Sequence, residues 1–147
     1  MTVIRATRQD LALLVPLFDA YRQFYGQTSD PVAAEQFLSD RRRLEQSVIF
    51  IAMKDDHASG FVQLYPSFSS VAMQPIWILN DLFVTPLARR HGVASDLMRA
   101  VSDFAAESGA SRLVLATGNE NTVAQSLYRK LGWQPDTTFT HFTRQLT

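Results

Sequence analysis

The sequence predicts an α/β fold in which a mixed β-sheet is covered by helices. Three observations carry that expectation. Short apolar runs with the composition of strands alternate along the chain with longer runs whose apolar residues recur at helical spacing. The clearest strand-like run, Ile76 to Val84, leads within a few residues into an amphipathic run that starts at Val93. No internal repeat or low-complexity linker divides the chain, so its elements are expected to share one domain over residues 1–147.

The elements follow in order. Val3 to Ala6 reads as a first strand, and Arg8 to Tyr25 as a helix with Leu11, Leu14, Phe18, Tyr21 and Tyr25 roughly on one face, stopped by Gly26. Asp30 followed by Pro31 has the pattern of an N-cap with proline at the first helical position, opening a helix to about Glu45. Val48 to Met53 and Phe61 to Tyr65 read as paired strands joined through Asp55 to Gly60. Pro66 to Pro75 is a polar and aromatic loop before the central strand. After the helix from Val93, Arg112 to Thr117 reads as another strand. Asn121 is a favoured N-cap for a last helix, in which Ala124, Leu127 and Leu131 form an apolar stripe and Gly132 is placed to end it. Thr138 to Gln145, with Phe139 to Phe142 at its centre, alternates as a strand expected to close the sheet.

Composition narrows the function. A chain of 147 residues with 46% hydrophobic residues is long enough for a substantial core. Its 14 basic and 14 acidic residues give no net charge, which argues against a generic nucleic-acid binder. Without cysteine there is no disulfide, no thiolate metal site and no cysteine nucleophile. His57 and His141 are isolated and carry no metal-ligand spacing, so structural roles and no metal are expected. No stretch approaches the roughly 20 apolar residues that span a bilayer, and Met1 to Arg5 lacks a signal-peptide core, so no membrane partner and a cytoplasmic setting are expected.

Arg89-Arg90-His91-Gly92-Val93-Ala94 stands where strand passes into helix. The first turn of such a helix has unpaired N–H groups, and the helix dipole adds partial positive charge there, so an anion is the natural partner. Gly92 lets backbone approach a ligand without a Cβ in the way, while Arg89 and Arg90 add formal charge and forked donors suited to phosphate. His91 is either a further phosphate contact or a plain polar loop residue. The two common phosphate turns do not fit, because this one has a single glycine and no lysine.

What remains, Arg-x-x-Gly-x-Ala, resembles the pyrophosphate-binding segment of the Gcn5-related N-acetyltransferases. A second segment, Asn119 to Trp133, is similar to that family's later block of Asn-x-x-Ala-x-x-Leu-Tyr-x-x-x-Gly-Phe/Trp. The order of elements resembles the family's fold from Val3 to about Leu146. The resemblance implies a mostly antiparallel mixed sheet, an N-acetyltransferase that uses acetyl-CoA as cosubstrate, and a homodimer, with Thr138–Gln145 a candidate edge for pairing. Small-amine or polyamine-type members are the nearest in pattern. A non-catalytic acyl-CoA-binding or sensory domain, a protein-directed acetyltransferase, and a small interaction domain without CoA function are the alternatives.

By the same resemblance, Leu82, Phe83 and Val84 supply a splayed strand edge for the pantetheine arm, and a backbone N–H near Leu82 or Phe83 polarises the thioester carbonyl. Amides from Arg89 to Ala94 hold the pyrophosphate, Asn121 contacts the cofactor side of the site, and Tyr128 protonates the departing thiolate. Asn121 and Tyr128 are seven residues apart, close to two helical turns, so both lie near one face. Outside this context Tyr128 would read as an aromatic at the edge of a core.

The acceptor amine must lose a proton before it attacks. Polyamine-type relatives carry Glu-Asp on the central strand, where this chain has Asn80-Asp81. Adjacent strand residues point to opposite faces, so Asp81 does not automatically replace a glutamate at position 80. Asp81 is either catalytic or substrate-binding, or else a buried partner for a backbone or arginine group, and Asn80 could orient a water. For a small-molecule amine acceptor, Tyr25, Asp30, Tyr65 and Phe68 in the less regular segments join Asp81 as candidate contacts, aromatic faces holding the cation. Arg41-Arg42-Arg43 reads as a basic last turn that complements its helix dipole.

Overall fold

The computed structural model describes residues Met1–Thr147. Five strands, β1 (Thr2–Arg5), β2 (Val48–Lys54), β3 (His57–Ser69), β4 (Gln74–Val84) and β5 (Leu113–Leu115), form one sheet in that spatial order. The first three pairings are antiparallel and β4 with β5 is parallel, so the sheet is mixed and mostly antiparallel, as expected. The helices are α1 (Leu11–Phe24), α2 (Pro31–Arg43), α3 (Val93–Glu107) and α4 (Thr122–Lys130). Residues Met1–Ala116 form one compact unit and Thr117–Thr147 a second.

Within the first unit, strand alternation sorts side chains between two helical layers. Ile49, Ile51, Phe61 and Phe83 meet Leu14, Leu17 and Phe18 of α1 and Ala34 and Leu38 of α2. Phe50 points the other way, its ring 5.6 Å from that of Phe104 on α3. Val93, Leu97, Met98, Val101 and Ala105 form the buried stripe of α3, their i, i+4, i+5, i+8 and i+12 positions falling on one side as an amphipathic helix requires.

Two expectations are corrected in this unit. The β2–β3 connection is shorter than Asp55 to Gly60: Asp55 and Asp56, with φ of 50° and 65°, make a two-residue turn between Lys54 and His57. Pro66 to Pro75 is not a loop, because β3 runs on to Ser69 and β4 begins at Gln74. Pro66 is tolerated in the strand because β2 pairs with β3 only as far as Leu64, so the missing N–H falls where no neighbour needs it.

The second unit contains α4, and Thr138 to Gln145 forms no strand, so it neither closes the sheet nor offers an edge for a dimer. Phe139 and Phe142 are three residues apart and would fall on opposite faces of a strand; both are exposed. Local bonds such as Thr138 N–H to the Asp136 carboxylate, 2.9 Å, take over instead.

Candidate active site

Register places the first feature. Gln63 opposes Asp81 but the next residue, Leu64, opposes Leu79, so Asn80 is an extra residue in β4. A bulge of this kind bends the strand and re-aims its side chains. Alternation alone would send residues 80 and 81 to opposite faces, yet both line one cleft, with Asn80 Nδ2 donating to Asp81 Oδ1 at 3.0 Å. Asp81 is buried, and its Oδ2 accepts from Gln63 Nε2 at 2.5 Å. The Tyr21 phenol stands close enough to feel the charge of this carboxylate. Gln63 Oε1 is buried with no partner.

The cleft, about 390 Å³, runs between α1, α2 and the strands, with Phe18, Tyr21, Phe37 and Tyr65 as aromatic walls. Burial, then the charge of Asp81, pushes the Tyr21 phenol well above its ordinary value, and the same two causes push Tyr65 up to about 12. The folded protein therefore keeps a proton on Tyr65 between pH 10 and about 12 that the unfolded chain has lost. Stability from this source is complete below pH 10 and is lost as pH rises toward 12. Tyr65→Phe, with no proton to lose, is expected to fall less steeply in unfolding free energy across that range, measured by urea denaturation in a pH series; an unchanged slope would contradict the assignment.

The second feature is an open strand edge. β5 pairs only with Trp77, Ile78 and Leu79, while β4 continues to Val84. Thr85 N–H donates to the Ser59 carbonyl at 2.9 Å, and the alternation of an antiparallel ladder then turns Phe83 and Asp81 toward β3 and Leu82 and Val84 away from it. No strand pairs with Leu82 or Val84 on that side. Of the three residues expected at this edge, Phe83 contributes a buried ring instead, packed near Phe61 and Tyr21.

The third is the turn before α3. Arg90 and Gly92 both have positive φ, 65° and 79°. Gly92 is the N-cap of a 15-residue helix whose first turn has no side-chain cap, and a Cβ built on it meets nothing within 4 Å. The N–H groups of that turn therefore lack a side-chain cap, and the helix dipole and nearby formal charge favour an anion there. Val93 is buried and anchors the helix, Ala94 is partly buried, and Arg90 and His91 are exposed. Arg89 is tied down: Nε donates to the Val84 carbonyl at 3.0 Å, and its guanidinium lies 5.5 Å from the Phe24 ring centroid and 5.8 Å from that of Phe83.

In the second unit, Asn121 Oδ1 accepts from Ala124 N–H at 3.3 Å, the expected cap of α4. Tyr128 is partly buried on the same helix, its ring 6.2 Å from Trp133.

Of the expected acceptor contacts the cleft gathers Tyr65 and Asp81, with Asn80 beside them, but not the rest. Tyr25 is exposed and packs edge-on to Tyr21, Asp30 caps α2 through Ala33 N–H at 3.1 Å, and Phe68 is 79% exposed beyond the cleft. Tyr21 and Gln63 were not anticipated as site residues. Their signals were there: Tyr21 falls on the apolar face of the first helix, and Gln63 is the polar residue inside Phe-Val-Gln-Leu-Tyr.

Residues 14–133 match the acetyltransferase (GNAT) family. The chain belongs to that family. An uncharacterised N-acetyltransferase of Bacillus subtilis (strain 168), YhfO, is 46% identical over 142 residues, 97% of this chain and 95% of that protein. A probable acetyltransferase of Haemophilus influenzae is 37% identical over 115 residues, 78% and 79% of the two chains. The crystal structure of a probable acetyltransferase, 42% identical, superposes with a TM-score of 0.95 over 100% of this chain and 99% of that one. Members of this family use acetyl-CoA, and N-acetyl transfer is the activity these relatives support. In this acetyltransferase no helix is long and apolar enough to cross a membrane.

Proposed function

We propose that this acetyltransferase moves the acetyl group of acetyl-CoA to a primary amine of a diffusible small molecule, by direct attack with both substrates bound. One observation carries the reading: the Asn80 bulge sets a buried carboxylate in an aromatic cleft one residue before β4 presents a free edge at Leu82. Absence of cysteine is in keeping with transfer that passes through no thioester on the protein.

The residues present fit the cosubstrate. The uncapped first turn of α3, with Arg90 and His91, suits a diphosphate, and Leu82 and Val84 offer backbone groups to an amide-bearing arm as an added strand would. Acetyl-CoA supplies the activated acyl group. The Leu82 N–H, unlike that of Phe83, is turned away from β3 and is the donor for a thioester oxygen. Asp81 holds the acceptor's ammonium, Asn80 orients water to take its proton, Asn121 contacts the cofactor, and Tyr128 holds the proton the leaving sulfur requires. The work is expected in the cytoplasm, with no nucleic acid or membrane partner and as a homodimer.

The test is CoA release from acetyl-CoA across polyamines, amino acids, aminoglycosides and lysine peptides, with acetyl-CoA binding followed in parallel. Amine-dependent release supports the proposal. Binding without release for any amine would favour an acyl-CoA sensor, the reading that Asn80 in place of glutamate keeps alive. Tyr128→Phe is expected to lower turnover about 100-fold, the usual scale of a general acid, with acetyl-CoA affinity unchanged. Equal turnover would remove Tyr128 from the mechanism.

A further inference from the structure

We propose that the acceptor is an amino acid or similar amino-carboxylate, not a polyamine, with its amine at Asp81 and its carboxylate held by Arg22 and Arg41. The inference rests on the small-amine reading above and concerns the same cleft.

The cleft carries charges of both signs. Asp81 of β4 and Arg22 of α1 both line it. Arg41 stands at the margin of the cleft: its guanidinium lies 4.9 Å from the ring centroid of Phe37, which lines the cleft, and its charge is felt by the Tyr65 phenol, another lining residue. Its Nε is buried and makes no hydrogen bond. The rest of that basic run is accounted for by the protein, since Arg42 donates to the Ala6 carbonyl at 3.2 Å and Arg43 pairs with Asp40 at 3.4 Å. Complementing a helix dipole therefore does not explain Arg41.

Neither arginine makes an ion pair, although Asp40 feels the charge of Arg41 and Asp19 that of Arg22. The chain's ion pairs are Arg43 with Asp40 and Arg99 with Asp96. Arg22 Nη1 donates to the Thr28 carbonyl at 3.2 Å. Asp19, whose carboxyl Arg22 helps hold below the usual range, is mainly engaged by Ser29, the Asp30 N–H and Gln23. A guanidinium in a partly desolvated aromatic site favours a ligand anion, which Arg binds as a fork. A polyamine would place further positive charge against both arginines, a repulsion that Asp81 can relieve for only one amine. Phe18 and Phe37, stacked at 5.8 Å with 8° between planes, give the acceptor's side chain an apolar surface.

The experiment compares each amino acid with its decarboxylated amine: lysine with 1,5-diaminopentane, phenylalanine with 2-phenylethylamine. CoA release is measured for both, together with the thermal stabilisation each confers on the protein saturated with CoA. Amino acids are expected to exceed their amines at least tenfold in kcat/KM. That ratio should collapse toward one in Arg41→Met and Arg22→Met through a raised KM for the amino acid, and persist in Arg43→Met. Amines used as well as their amino acids would overturn the inference and leave the transferase standing. Stabilisation by amino acids, lost in the arginine variants, without release of CoA would support the cleft assignment and count against the transferase. Neither release nor stabilisation would overturn both.

Discussion

Gly92→Asp is expected to weaken acetyl-CoA binding about 100-fold while the variant melts close to the wild type. The two effects separate because they arise from different physics. Gly92 has φ of 79°, and a Cβ there meets no atom within 4 Å, so the substitution costs only backbone strain, about 1 kcal/mol. An aspartate at a helix N-terminus returns a similar amount through the helix dipole. Binding receives no such compensation. The new carboxylate stands where the diphosphate would lie against the N–H groups of α3, and two unit charges about 4 Å apart repel by about 4 kcal/mol at a near-surface dielectric. Partial solvation leaves roughly 2–3 kcal/mol, hence the factor of about 100. Gly92→Ala carries the same strain without the charge and is expected to keep most of the affinity. Calorimetric titration with acetyl-CoA and a melting curve on each variant decide the matter, and undiminished affinity in Gly92→Asp would move the phosphate site elsewhere.

Sequence reasoning reached this turn because every part of it is local. A strand, a glycine, two arginines and an amphipathic run are neighbours in the chain, and the cap of α4 at Asn121 was legible for the same reason. The cleft beside Asp81 was not, because it is assembled from α1, α2, β3 and β4 and depends on register. A single unpaired residue, Asn80, decides where Asp81 points, and nothing within Ile-Leu-Asn-Asp-Leu announces it; only the opposing Gln63 and Leu64 define the slip. Asp30 shows the opposite error. The Asp-Pro pattern marks it as an N-cap, and that role keeps it out of the cleft, since its Oδ1 already accepts from Ala33 N–H. The C-terminal segment failed for want of a face: Phe139 and Phe142 cannot both point inward from one strand.

Gly60→Ala tests the other requirement of the site, that β3 and β4 lie close together where the free edge begins. A Cβ at position 60 would stand 2.7 Å from the Phe83 carbonyl oxygen, 3.3 Å from Val93 Cγ1 and 3.4 Å from Leu97 Cδ1. The nearest of these is backbone, held in the β3–β4 ladder, so it cannot rotate away as a side chain tip would. Overpacking of this kind costs about 3 kcal/mol, or roughly 6–12 °C in melting temperature for a chain of this size. Relief of the clash has one direction, separation of β3 from β4 and α3 beside Val84 and Val93, which displaces both the strand edge and the start of α3. The variant is therefore expected to combine a lower melting temperature with a raised KM for acetyl-CoA, measured well below its melting point. Gly118→Ala, where an added Cβ meets nothing within 4 Å, is the control and should change neither. A Gly60→Ala protein as stable as wild type would show that the strands can part without cost, and the edge at Leu82 and Val84 would then not be a preformed surface.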